Sequence, residues 1–235
     1  MSSFLVAGLE RQGLSAILME TRRVNAALSA IPVKTDRGDA RGIAELLRKG
    51  WFQPVHMKFP SARDMRLMLS ARETLGRRIR ELDNSVRGLL RGFGLRVPKG
   101  ARGRFTGLVR ALVEDNPVLA EAISPLLNAR EAMADEFARL DRLVRELSAK
   151  DDVCRRLMTV PGVGAVIALT FRAAIDDPTR FRSSKSVGAC FGLTPRRYQS
   201  GETDRITSIT KAGDAGVRAA LYEAAHVMLV RSTKW

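Results

Sequence analysis

Two short stretches carry residues that could do chemistry on a phosphate ester. "VKTDRGDARG" places Asp36 and Asp39 three positions apart, ahead of an apolar series at Ile43, Leu46 and Leu47. On a helix that spacing sets both carboxylates on one face. Paired carboxylates are hard oxygen ligands, suited to divalent cations. The plainer reading makes Asp36 the helix N-cap and Asp39 surface charge in the first turn. "PRRYQSGETDRITSITK" sets Ser200-Gly201 in a loop with Arg196, Arg197, Arg205 and Lys211. A serine there could attack a phosphodiester while the cations hold the phosphate and stabilise the charge that develops. The plainer reading is a Ser-Gly turn. His56 and His226 have no motif partners, and His226, on an apolar helix, is expected in the core.

A third stretch suggests phosphate contact without chemistry. In "CRRLMTVPGVGAVIALTF" two helical runs flank Pro161-Gly162-Val163-Gly164, in the manner of a helix-hairpin-helix element. Gly162 and Gly164 permit a tight turn. The following helix would then offer free N–H groups and a positive dipole end to a phosphate, with Arg155 and Arg156 nearby. The alternative is an ordinary helix–helix turn whose glycines serve packing.

Charge supports a polyanionic partner. Forty Lys and Arg face twenty-five Asp and Glu, for a net +15. Residues 37–110 carry eighteen basic and six acidic residues, 111–153 five and ten, and 154–235 thirteen and six. Arginine predominates over lysine, which favours bidentate phosphate contact. DNA or RNA is the natural partner of such a chain. No run of eighteen apolar residues appears and the first residues lack a basic signal-peptide region, so no membrane span and a cytoplasmic location are expected. Cys154 and Cys190 have no metal-ligand spacing, which points to reduced thiols.

These stretches need elements to position them. Phe4, Leu5 and Leu9 have helical spacing that ends at Gly13, Leu14–Glu20 reads as a buried strand, and Thr21–Ala30 as a helix. A helix is expected over 36–49, stopped by Gly50. Two long helices follow, over 62–92 and about 117–149, with apolar seams of coiled-coil spacing. They suggest an antiparallel coiled-coil arm joined by a basic loop. Arg72 and Arg130 each fall on a seam, where an arginine serves as a register device or snorkels outward. The chain therefore divides into 1–58, 59–150 and a mostly helical 151–235. The fold class is mainly α, with an α/β piece at the N-terminus.

"VKTDRGDARGIAELLRKGWFQPVH", "LMTVPGVGAVIALTF", "DDPTRFRSSKSVGACFGLTP" and "YQSGETDRITSITKAGDAGVRAALYEAA" together closely resemble insertion-sequence transposases of the IS110 type, in order and over nearly the whole chain. The resemblance implies an N-terminal RuvC-like (RNase H-like) domain, a coiled-coil connection and a C-terminal transposase domain. It implies an acidic Asp-Glu-Asp-Asp tetrad binding Mg2+, a serine nucleophile, and a structured guide RNA in some members. Asp36 and Asp39 fall on the last two tetrad positions and Ser200 on the serine. The first Asp and the Glu would lie before Met1. Glu10 and Glu20 are the only acidic residues ahead of Asp36, and neither matches. The chain is thus expected to be a truncated transposase, unable to catalyse alone, and a homo-oligomer. Thr207 and Ser208 stand where the family commonly has glycine. The alternatives are a non-catalytic nucleic-acid-binding protein and a RuvC-type junction nuclease.

Overall fold

The computed structural model describes residues 2–30, 34–98, 100 and 102–231. They fall into two compact units, the first ending at Phe59 and the second beginning at Pro60.

The first unit holds α1 (Ser2–Arg11), α2 (Thr21–Leu28) and α3 (Asp36–Arg48). The strand expected over Leu14–Glu20 does not form. Among the described residues this segment makes a single bridge, Met19 with Pro54, flanked by the backbone bonds Glu20 N–H to Gln53 O (3.0 Å) and Val55 N–H to Leu18 O (2.8 Å). A ladder needs a run of such bonds, and here one neighbour supplies two. Ile17 and Leu14 stay half exposed. Among the described residues of this piece the regular elements are helices, and its β character is limited to this one bridge. Glu20 caps α2 instead, its side chain accepting from the Arg23 N–H at 2.8 Å. In α3 the cap is Thr35, whose hydroxyl accepts from the Gly38 N–H at 3.0 Å, and not Asp36, which opens the first turn. Gly50 ends the turn beyond, at φ +63°.

The second unit is built on α4 (Pro60–Arg91) and α6 (Pro117–Lys150). Their antiparallel pairing is fixed by two cross-links. Arg72 Nε donates to Asp141 at 2.6 Å, and Arg130 Nε donates to Asp83 at 2.6 Å. On each helix the arginine precedes its aspartate by eleven residues, about three turns, so both face the partner helix. The arginines that interrupt the apolar seams are thereby satisfied within the seam. Their guanidinium groups also lie over rings, Arg72 4.7 Å from the centre of Phe137 and Arg130 4.9 Å from that of Phe105. Gly76 sits against the Phe137 ring, where a Cβ would come within 3.1 Å.

The connection between these helices is not simply the basic loop expected. It contains α5 (Phe105–Val113), whose Phe105, Val109 and Val113 are buried against Val86 and Leu90 of α4 and Leu119, Ile123 and Leu127 of α6. At the other end α7 (Asp152–Leu157) and α8 (Ala165–Ile175) close a second core, where Val144, Cys154, Ala168 and Leu169 meet Met65, Met68 and Leu69. Residues on both sides of position 150 thus share one core. Burial pushes the Cys154 thiol up to about 12, the state of an inert packing cysteine. A third core joins Ala174 of α8, Phe191 beyond α9 (Ser184–Cys190), and Val217 of α10 (Ala215–Arg231). Between α9 and α10 lies a two-stranded hairpin, β1 (Pro195–Ser200) and β2 (Thr203–Ile209). The C-terminal region was expected to be helical, and this hairpin is its exception. No helix among the described residues is long and apolar enough to cross a membrane.

Candidate nucleic-acid interface

Ser200 is the last residue of β1, and Gly201 and Glu202 make the turn to Thr203. A two-residue hairpin loop needs positive φ at its first or both positions. Gly201 supplies it at φ +54°. Ser200 thus closes β1 and Gly201 opens the turn, which leaves the serine exposed at the hairpin tip.

Strand register sorts the surrounding side chains. Tyr198 pairs with Arg205 and Ser200 with Thr203, whereas Arg197 pairs with Ile206 and Gln199 with Asp204. Opposed residues share a face and alternate residues share a face. Tyr198, Ser200, Thr203 and Arg205 thus lie on one side. Arg197, Gln199, Asp204 and Ile206 lie on the other. Arg197 makes a two-point contact with Asp204, Nε at 2.8 Å and Nη2 at 2.6 Å, which holds the Asp204 carboxyl below its usual range. Arg205 is exposed and makes no ion pair among the described residues. Further down, two residues of β2, Thr207 and Ser208, oppose Arg196 alone, a bulge. Arg196 turns back to the hairpin base, its Nη2 donating to the Thr210 carbonyl at 3.0 Å.

The base is held by close backbone contact. Gly192 and Gly213 have φ of +65° and +72°. A Cβ on Gly192 would strike the Ala212 backbone, and one on Gly213 the Cys190 carbonyl. Lys211, at φ +56°, gives its N–H to the Gly192 carbonyl at 3.0 Å, and its side chain is exposed. Arg218 of α10 spans three carbonyls, those of Phe191 (3.2 Å), Ala212 (2.7 Å) and Gly213 (3.3 Å). Asp214 accepts from the Gly216 N–H at 2.9 Å at the head of α10 and from Arg66 of α4 at 2.5 Å. Burial alone raises this carboxyl; the Arg66 charge and these hydrogen bonds outweigh it and hold it below its ordinary value.

The turn at Pro161 divides its two glycines. Gly162, at φ +84°, lies against α10, where a Cβ would meet the Ala224 carbonyl. Packing accounts for this residue. Gly164, the α8 N-cap, is exposed with open space beside it. Arg155 pairs with Asp152 one turn earlier, and Arg156 is exposed. His226 is exposed rather than buried, its ring stacked on Tyr222 with centres 6.2 Å apart. Its neighbours one turn away on the same face, Tyr222, Leu229 and Val230, are exposed as well.

Asp36 and Asp39 stand in the first turn of α3, in the first unit, with Asp36 exposed and Asp39 half-buried. Two carboxylate groups in one turn suit Mg2+ in donor chemistry. Among the described residues no group of three or more His, Cys, Asp or Glu side chains is placed to hold a metal ion. The pair alone supplies part of a coordination sphere.

Comparison with known proteins finds two family matches, the first of which runs across the boundary at Phe59. A transposase family of the DEDD IS110 type matches residues 2–94, and the family described as transposase IS116/IS110/IS902 matches residues 154–235. The transposase for insertion sequence element IS1111A of Coxiella burnetii is 31% identical over 204 residues, covering 83% of this chain and 55% of the relative. The transposase for insertion sequence element IS1328 of Yersinia enterocolitica is 27% identical over 202 residues, covering 84% and 60%. The chain thus spans between half and three-fifths of the length of these curated relatives.

Proposed function

The chain belongs to the IS110-type family of insertion-sequence transposases, and from that premise we propose that it serves DNA transposition, with Ser200 as the nucleophile that breaks and rejoins DNA strands. The observation that carries the reading is the placement of Ser200. It stands exposed at the tip of a hairpin whose base is locked by Gly192, Gly213 and Arg218, with Arg205 on its own face. A rigid base and an open tip suit a group that must reach a backbone phosphate. In the proposed step the Ser200 Oγ–phosphorus bond forms as the bond from phosphorus to the 3′ oxygen breaks. The hydroxyl proton leaves to solvent and the departing 3′ oxygen takes one from solvent. The product is a 5′-phosphoserine linkage, and rejoining reverses the step on a second strand.

Asp36 and Asp39 are the residues that would hold Mg2+, with further ligands from outside the described residues. Bound there, the ion's chemistry is neutralisation of charge on the oxygens at phosphorus. Guidance by a structured RNA and assembly as a homo-oligomer belong to the same proposal, as does a RuvC-like fold for the complete first domain.

One observation favours a second reading, binding without cutting. The exposed Arg205 and Lys211 of the hairpin region suffice for phosphate binding without chemistry. One experiment separates the readings. The chain, alone and joined to the additional length of a longer curated relative, is incubated with duplex DNA and Mg2+, denatured in detergent, and scored for a covalent protein–DNA adduct. The first reading expects the joined form to give an adduct that Ser200→Ala abolishes while DNA binding stays. An adduct that survives Ser200→Ala overturns the nucleophile. Cleavage to free ends without adduct indicates a junction nuclease, and binding with neither supports the second reading.

A further inference from the structure

We propose that the hairpin meets DNA through one face only: Arg205 holds the phosphate beside Ser200, Tyr198 stacks on the adjoining sugar or base, and Arg197 takes no part. The inference rests on the reading of Ser200 given above and adds the residues that position its substrate.

The register carries the argument. Tyr198 and Arg205 are directly opposed, and Ser200 and Thr203 are the next opposed pair on the same face. Arg205 is therefore the diagonal neighbour of Ser200, at a backbone separation of about 7–8 Å. An extended guanidinium covers that distance, so a phosphate at the Ser200 hydroxyl lies within its reach. Arg205 has no ion pair among the described residues, so its charge is available to an anion. Tyr198 is 64% exposed. An exposed ring beside a free cation is the combination that holds a nucleic-acid strand by stacking and charge together. Arg197 differs on every point, since it looks the opposite way and Asp204 holds it at two points. Its neighbour across the strand, Ile206, is 73% exposed and offers a phosphate nothing. Arg196, bonded to the Thr210 carbonyl, is committed to the base.

Adjacent arginines at 196 and 197 make this a sharp test. The full chain and its variants are titrated with fluorescein-labelled DNA, a duplex carrying a short single-stranded gap, by anisotropy, across roughly 50 to 200 mM salt, where phosphate contacts show as a slope in log affinity. Arg205→Ala is expected to weaken binding about tenfold and to lower the slope by about one, the loss of one phosphate contact. Arg197→Ala should leave affinity and slope unchanged. Tyr198→Ala should weaken binding about fivefold or more with no change in slope, and Tyr198→Phe should restore it. Thermal melts accompany each variant, and Arg205→Gln, which keeps length and polarity, must reproduce the Arg205→Ala slope. Equal losses for Arg197→Ala and Arg205→Ala overturn the one-faced contact, as does an Arg205→Ala chain that binds as well as the parent. Displacement of the DNA by duplex RNA at tenfold lower concentration overturns DNA as the occupant. A parent chain that shows no salt-dependent DNA binding overturns the wider reading of function instead.

Discussion

The helix pair and the hairpin use arginine in opposite ways. Arg72 and Arg130 lie within the α4–α6 seam, each with an aspartate on the facing helix and an aromatic ring beneath it. On the hairpin, Arg205 has open solvent and no acid among the described residues. A buried arginine must find its partner inside the fold, because an unpaired charge there is costly. An exposed one keeps its charge for something outside. Partner and burial, more than residue type, separate the arginines that build this molecule from those that offer it to a ligand.

The contrast is broken most severely by removing a seam arginine. Arg130→Ala leaves Asp83, whose side chain is 16% exposed, without its cross-link. The expected cost is about 3–5 kcal/mol, a fall in melting temperature of roughly 6–20 °C for a unit of this size. Circular dichroism measures it, and a melt that barely moves would show the pair to be ornamental. Replacing both partners, Arg130→Met with Asp83→Leu, should recover most of the loss, since an apolar pair leaves no charge stranded.

Next comes the hairpin base. Gly213→Ala forces a Cβ against the Cys190 carbonyl at a positive φ. It should cost about 1–3 kcal/mol and speed hydrogen exchange over β1 and β2. Unchanged exchange would mean that the base does not hold the strands.

Acid should weaken the second unit through the carboxylates that burial and cationic partners act on together. Asp141 is raised by burial and lowered more by Arg72 and Arg145; Asp151 is raised by burial and lowered more by the Cys154 N–H and Arg172; Asp214 follows the same pattern with Arg66. All three sit below their ordinary 3.8 in the folded chain. The unfolded chain therefore takes up protons first as pH falls. The stabilisation is whole above about pH 5 and is lost through pH 4 and below, as the folded carboxylates in turn protonate. Melts at pH 7, 5 and 3.5 should show little change over the first interval and a clear drop over the second. Arg72→Met should reduce that drop.

Arg197→Ala is the smallest of these effects. Its ion pair with Asp204 is fully exposed, and such pairs contribute little. The melting temperature should stay where it is, and a clear fall would place this arginine with the seam pair instead.

The helices were legible because their apolar spacing persists over many turns. Residues 62–92 and 117–149 were expected, and Pro60–Arg91 and Pro117–Lys150 are found. Shorter elements yielded less. Leu14–Glu20 has the composition of a buried strand, but a strand also needs neighbours, which composition does not reveal. α5 was hidden by the Gly- and Arg-rich residues just before it. The hairpin carries a local signature, since Gly201-Glu202 between "PRRYQS" and "TDRITSI" is a Gly-first two-residue turn. That turn sets the register that sorts Arg197 from Arg205 and puts Tyr198 beside Ser200. Asp36, Asp39 and Ser200 stood out by residue type and spacing, but the structure alone gives their surroundings. That Thr35 would take the cap from Asp36, and that Gly162 would be needed by α10, depend on contacts that no local spacing encodes.

The two seam cross-links form a palindrome. Along α4 the order is Arg72 then Asp83, and along α6 it is Arg130 then Asp141, with equal intervals. Helices running in opposite directions match each cation with an anion at both ends. Aligned the same way, they would oppose like to like. The code thus specifies direction without specifying which chain supplies the partner. A second copy offering its own α6 to this α4 would meet identical charges, so exchange of the long helices between two molecules would preserve both ion pairs.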